Sequence, residues 1–226
     1  MSTHEKLAVC LIECQSTMQY PGCVTACADL ITHVYSIKGG NHSQDIEFIL
    51  TNLVVCLVNL THINGTEGTL VDDNVVQPLM QLAQQSPLFA SACARGLYNL
   101  TCVDQPYSLY ERVIRALLSI SVIPNPQIKH VTAAAICNLA DLKSVRSRMV
   151  DEGVISTLTT LTRGSETRTR RVCAVILQNL SASRACRAEM MARSCVQVAY
   201  ALSSEQDPII LRCVGITLAR LSLEKS

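Results

Sequence analysis

Cys10, Cys14, Cys23 and Cys27 form two i,i+4 pairs on either side of Tyr20-Pro21-Gly22. Four thiolates brought together in this way are the donor set of a tetrahedral structural zinc site. The C-x3-C spacing is less diagnostic than C-x2-C, and the chain holds 12 cysteines in all. Most sit inside apolar helical runs rather than loops, the pattern of small buried hydrophobes in a reducing compartment. The preferred reading is therefore no metal and no cofactor.

Other reactive residues are dispersed. His4, His33, His42, His62 and His130 share no motif. There is no glycine-rich phosphate loop, no His-Glu-x-x-His and no serine elbow, so catalysis is not expected. Sequons at Asn41, Asn59, Asn64, Asn99 and Asn179 have no secretory signal to bring them to a glycosylating compartment.

The chemistry that does recur is that of the primary amide, a donor and acceptor together. Asparagine is a poor helix-interior residue, yet it ends apolar helical runs at Asn59-Leu60, Asn99-Leu100, Asn138-Leu139 and Asn179-Leu180, with Arg220-Leu221 in the fifth place. The steps are 40, 39, 41 and 41 residues. A period near 40 belongs to α-solenoids.

The elements that must position these residues are legible between Leu142 and Ala182. A short charged helix ends at Gly153, which suits a left-handed helix stop. A second helix carries Val154, Leu158 and Leu161 and closes at Gly164; a third, N-capped by Ser165, carries Val172, Val175, Ile176 and Leu180 on one stripe. Gly153 precedes Asn179 by 26 residues, and Asp73, Arg112 and Ser194 stand at the same offset before Asn99, Asn138 and Arg220. Third helices are then predicted near 44–62, 87–101, 126–140, 166–181 and 207–222, with Pro87, Pro126 and Pro208 at the starts of three.

Composition agrees. Apolar residues make up 49% of the 226, aromatics only 4%, and tryptophan is absent, so Leu, Val, Ile, Ala and Cys must fill a helical core. The net charge of +1 conceals an asymmetry, −6 over residues 1–80 and +7 over 81–226. That excess is weak for nucleic acid and lacks interleaved aromatics. No apolar run reaches the roughly 20 residues of a membrane span, and the start has no signal pattern. A cytoplasmic protein is expected, with cytoskeletal, ciliary or nuclear placement compatible.

The order short helix, glycine, second helix and longer third helix ending Asn-Leu-Ser resembles the armadillo repeat. The resemblance covers residues 44–222 well and the first forty poorly. It implies an all-α, right-handed α-solenoid of about five repeats forming one domain over residues 1–226. Residues 1–62 would be an atypical N-terminal cap and first repeat, followed by repeats at 63–101, 102–140, 141–182 and 183–226. The two-helix HEAT unit is the structural competitor; the charged segments Leu142–Glu152 and Ser183–Arg193 favour three helices.

In that family the third helices line a groove whose asparagines hold an extended peptide by its backbone. Asn59, Asn99, Asn138 and Asn179 match that position. The competing reading is that each amide bonds a neighbouring helix and fixes repeat stacking. Importin alpha carries a tryptophan four residues before the asparagine; here those positions hold Val55, Arg95, Ala134 and Val175, so a receptor for nuclear-import signals is not implied. Helical spacing instead brings Arg95, His130, Arg168, Arg171, Arg212 and Arg220 to the asparagine side. The expectation is a non-catalytic adaptor whose partner is a protein, gripped through an acidic or phosphorylated segment. The alternative is a structural subunit of a larger cytoskeletal or ciliary assembly, using its ends and convex face.

Overall fold

The computed structural model describes residues 51–55, 57–59, 61, 75–102 and 107–223, together with Ala26, Asp29 and His33. The cysteines considered for zinc, Cys10, Cys14, Cys23 and Cys27, lie outside the described residues, as does Asp73. The chain divides into two compact units, Met1–Pro106 and Tyr107–Ser226. Every regular element among the described residues is helical.

In the first unit, helical residues 51–55 and 57–59 precede α1 (Val76–Gln85) and α2 (Pro87–Asn99). Here α1 and α2 pack face to face, burying Leu79, Leu82, Ala90, Cys93, Ala94 and Leu97. Side chains pack closely on Gly96, where a Cβ would meet Leu79 Cδ1 at 3.1 Å and Val58 Cγ2 at 3.3 Å.

The second unit runs α3 (Tyr107–Ile120), α4 (Pro126–Asp141), a 3-10 turn (Lys143–Val145), α5 (Arg146–Asp151), α6 (Val154–Thr162), α7 (Thr167–Ser181), α8 (Arg184–Ala192), α9 (Cys195–Ser203) and α10 (Pro208–Ser222). The third helices α2, α4, α7 and α10 begin and end within two residues of their predicted bounds. Pro87, Pro126 and Pro208 stand in their first turns, where the missing N–H has no intrahelical partner to lose. Asn125 and Asp207 cap α4 and α10, each accepting from the second and third backbone N–H groups beyond it.

The turn between first and second helices depends on one residue per repeat. Gly153 is left-handed at φ +96°, and Ser194, its counterpart 41 residues on, is left-handed at φ +65° although it is not glycine. Arg112 occupies the same frame and no turn forms: α3 runs through it unbroken. An arginine enters the left-handed region at a cost and is a good helix former, so among the described residues this repeat holds two helices, α3 and α4, where three are expected. Ser165 also departs from expectation. It lies two residues ahead of α7 and its hydroxyl donates back to Leu161 O of α6, closing the preceding helix rather than capping the next.

α7 packs between α4 and α10 and over α6. It therefore buries Cys173, Ala174, Ile176, Leu177 and Leu180 at once. Burying a leucine completely is worth about 1.5–3 kcal/mol, and the apolar palette read from composition is the palette of this core. Cys173, Cys186, Cys195 and Cys213 in this unit, and Cys93 in the first, are buried free thiols. Burial pushes Cys93, Cys173 and Cys195 up to about 12, so they stay protonated and act as hydrophobes.

Candidate functional site: the third-helix face

In the second unit α4, α7 and α10 lie side by side, and the ladder positions fall in line as Asn138, Asn179 and Arg220. Eight residues before them stand His130, Arg171 and Arg212. In the first unit Asn59 is exposed, Asn99 is half-buried at the end of α2, and Arg95 is exposed one turn earlier. Along each third helix this spacing sets the residues on one side of the helix. What those side chains do there is more varied than spacing implied.

Three ladder residues reach back to the end of the preceding third helix. Asn99 Nδ2 donates to Thr61 Oγ1 at 3.2 Å and to Val58 O at 3.4 Å. Asn179 Nδ2 donates to Asp141 Oδ1 at 2.6 Å. Arg220 Nη1 donates to Gln178 O at 2.8 Å and to Ser181 Oγ at 3.4 Å. The last carbonyls of a helix lack intrahelical partners; Asn99 and Arg220 each give one of them a donor from the following repeat, Asn179 bonds the carboxylate of Asp141 instead, and each contact ties neighbouring repeats together. Arginine in the fifth place keeps this contact with a longer arm. Asn138 is half-buried at the equivalent place on α4.

The amides are not exhausted by these bonds. A primary amide has two N–H donors and a carbonyl oxygen, and in Asn99 and Asn179 only Nδ2 bonds described residues.

The basic residues divide into engaged and exposed. Arg171 directs Nε and Nη2 to Asp207 Oδ2 at 2.8 and 2.6 Å. Asp207 Oδ1 meanwhile accepts from the N–H groups of Ile209 and Ile210. The guanidinium of Arg171, followed by these backbone donors, holds the Asp207 carboxyl below its usual range. Arg170 donates to Ala201 O at 2.8 Å and pairs with Glu205 at 3.1 Å. Arg168 pairs with Glu166 at 2.7 Å, both exposed, a contact worth little in water. His130 Nδ1 lies 3.3 Å from Thr169 Oγ1. Burial and then the Arg168 charge hold the imidazole below its ordinary pKa, which favours the neutral ring. Arg95 and Arg212 are exposed and meet no described partner.

Sequence reasoning did not find Asp141 and Asp207. Asp207 carried a readable signal, an acid immediately before Pro208 at a helix start; Asp141 carried none, because its role is set by a residue 38 positions away. Among the described residues no group of three or more His, Cys, Asp or Glu is arranged to hold a metal, and no helix is long and apolar enough to cross a membrane.

No family model matches the sequence, and no curated protein matches it. Its fold is similar to solved structures. A designed armadillo repeat protein, in complex with the peptide (KR)4, superposes with a TM-score of 0.66 at 10% identity, over 97% of this chain and 94% of that one. An engineered protein superposes with a TM-score of 0.61 at 15% identity, over 98% and 97% of the two chains. The chain has an armadillo-like repeat fold, an all-α solenoid.

Proposed function

We propose that this chain is a non-catalytic adaptor whose third-helix face holds an extended acidic or phosphorylated segment of a protein partner. The observation that carries the reading is Arg212. It stands exposed on α10 in register with Arg171 and His130 on the adjacent third helices, a cation without a described counter-charge. Arg95 offers the same on the first unit. In the second unit Asn138 and the remaining N–H and carbonyl of Asn179 are the groups to bond the segment's backbone; in the first unit Asn59 and the side-chain carbonyl of Asn99 offer the same. Arg168 exchanges a weak surface partner, Glu166, for the ligand; Arg171 and Arg220 supply field while keeping their contacts. The designed neighbour is in complex with a peptide of lysine and arginine; the arginines here argue for a ligand of opposite sign.

Fluorescence anisotropy with labelled acidic, phosphorylated and basic peptides tests this. Acidic or phosphorylated peptides are expected to bind with affinity that falls as salt rises. Arg168→Glu with Arg212→Glu is expected to weaken them by at least about tenfold, as is Arg168→Glu with Arg171→Glu. Undiminished affinity in both double variants, or a preference for the basic peptide, removes the reading.

A second reading, a structural subunit of a larger assembly, draws on Val196, Tyr200, Leu211 and Leu218, exposed apolar residues of α9 and α10. Native mass spectrometry of the protein isolated from cells tests it: a stable multi-subunit complex supports it and a free monomer removes it.

A further inference from the structure

Leu211, Gly215, Leu218 and Ser222 recur along α10 at i, i+4, i+7 and i+11, one stripe of the helix. All four are exposed, with Leu211 and Leu218 at 40% and 39%. Forty-one residues earlier, in the same register, α7 carries Arg170, Ala174, Leu177 and Ser181. There Ala174, Leu177 and Ser181 are fully buried, because α10 lies against α7. The second helices tell the same story: Val196 of α9 is 50% exposed, whereas its counterpart Ile155 of α6 is wholly buried.

The repeat therefore displays what covers such a face. The covering helix runs parallel to α7, since its N-cap, Asp207, meets Arg171 in the first half of α7 and Arg220 meets the end. It opens with an acid, Asp207, seated on Arg171, and it donates to a carbonyl and a hydroxyl of the last turn of α7. On α10 the residue equivalent to Arg171 is Arg212, exposed and without a partner among the described residues, and the hydroxyl equivalent to Ser181 is Ser222. Gly215 adds room for close approach, as nothing lies within 4 Å of a Cβ placed there.

We propose that the α9–α10 end of the second unit is a docking site for a partner helix that lies parallel to α10, bears a small and apolar stripe, and opens with an Asp or Glu N-cap seated against Arg212. A second copy meeting α10 with α10 fits less well. The helix carries Arg212 and Arg220 and no acid, so a two-fold pair brings cations together without counter-charge. The site extends the second reading by naming the chemistry of what docks. A chain that binds the probe below yet belongs to no stable complex in cells keeps this inference and loses that reading.

The probe is a fluorescein-labelled synthetic helix copying residues 205–223, held helical by a lactam bridge on its outer side and titrated into the full-length chain. Saturable anisotropy is expected, weakened at least about tenfold by Leu218→Asp and by Arg212→Glu in the chain, and by Asp207→Asn in the peptide. Arg168→Glu is expected to leave it unchanged, which separates this end from the third-helix face. Leu211→Asp replaces Leu218→Asp should the latter change the thermal midpoint. The proposal is overturned by the absence of saturable binding, by binding indifferent to both leucine variants, or by equal loss with Arg168→Glu. It is equally overturned if sedimentation equilibrium finds a dimer of the chain that Leu218→Asp dissociates, since a second copy then owns the face.

Discussion

Replacing Ser194 with glycine is expected to stabilise the protein. Ser194 holds φ +65° between α8 and α9, where an L-residue pays about 1–2 kcal/mol. Its side chain is exposed and makes no hydrogen bond to a described residue, so the substitution removes no contact. Glycine loses about 0.4–1 kcal/mol more backbone entropy on folding. The difference leaves a gain of about 0.5–1 kcal/mol. Gly153→Ala is the mirror experiment at the same frame position. Its φ is +96° and the new Cβ meets Ser156 Oγ at 3.4 Å, ordinary contact, so backbone strain of about 1–2 kcal/mol, offset by about 0.4–1 kcal/mol of spared backbone entropy, leaves an expected loss of about 0.5–1 kcal/mol. For a chain of this size 1 kcal/mol moves the midpoint by about 2–4 °C. Circular dichroism melts and urea titrations of the two variants should therefore move in opposite directions. A lowered midpoint for Ser194→Gly, or an unchanged one for Gly153→Ala, refutes the argument that one left-handed residue per repeat separates first and second helices.

Three further outcomes are expected. Asn125→Ala removes the cap that accepts from Gln127 N at 2.9 Å and Ile128 N at 3.1 Å, and should cost about 1 kcal/mol in urea unfolding. Asp207→Asn should lower the midpoint at neutral pH. Because the folded carboxyl titrates below its usual value, the stability it lends is present above the unfolded pKa and is lost as pH falls. The gap between wild type and Asp207→Asn should thus close below about pH 4; a gap that persists in acid contradicts the Arg171 pairing. In native protein treated with iodoacetamide, peptide mapping should find Cys102 alkylated and Cys93, Cys173 and Cys195 protected, since burial holds those three thiols protonated at about 12. Unfolding in urea should expose all of them.

Much of the fold was written in local pattern. The period near 40 residues, the three prolines in first turns and the left-handed Gly153 are properties of short stretches, and the helices follow them closely. The same logic reached Ser194 through its offset from Arg220, although serine does not announce a left-handed turn. At Arg112 the frame is kept without the turn, because α3 runs through it, and at Ser165 the hydroxyl expected to cap α7 closes α6 instead.

The candidate site was legible as a set of positions and not as a set of interactions. Helical spacing alone fixes that Asn138, Asn179 and Arg220 share a side with His130, Arg171 and Arg212, because neighbouring third helices stack in register. Whether an amide at the end of α7 turns to Asp141, or the guanidinium of Arg171 to Asp207, depends on groups 36–38 residues away. Those partners are distances between helices, which no window of sequence contains. The tertiary structure also decided which cations are spoken for. Arg171 is held by a cap on the next helix, whereas Arg212, its image one repeat later, meets no described partner, because no further helix covers α10 among the described residues.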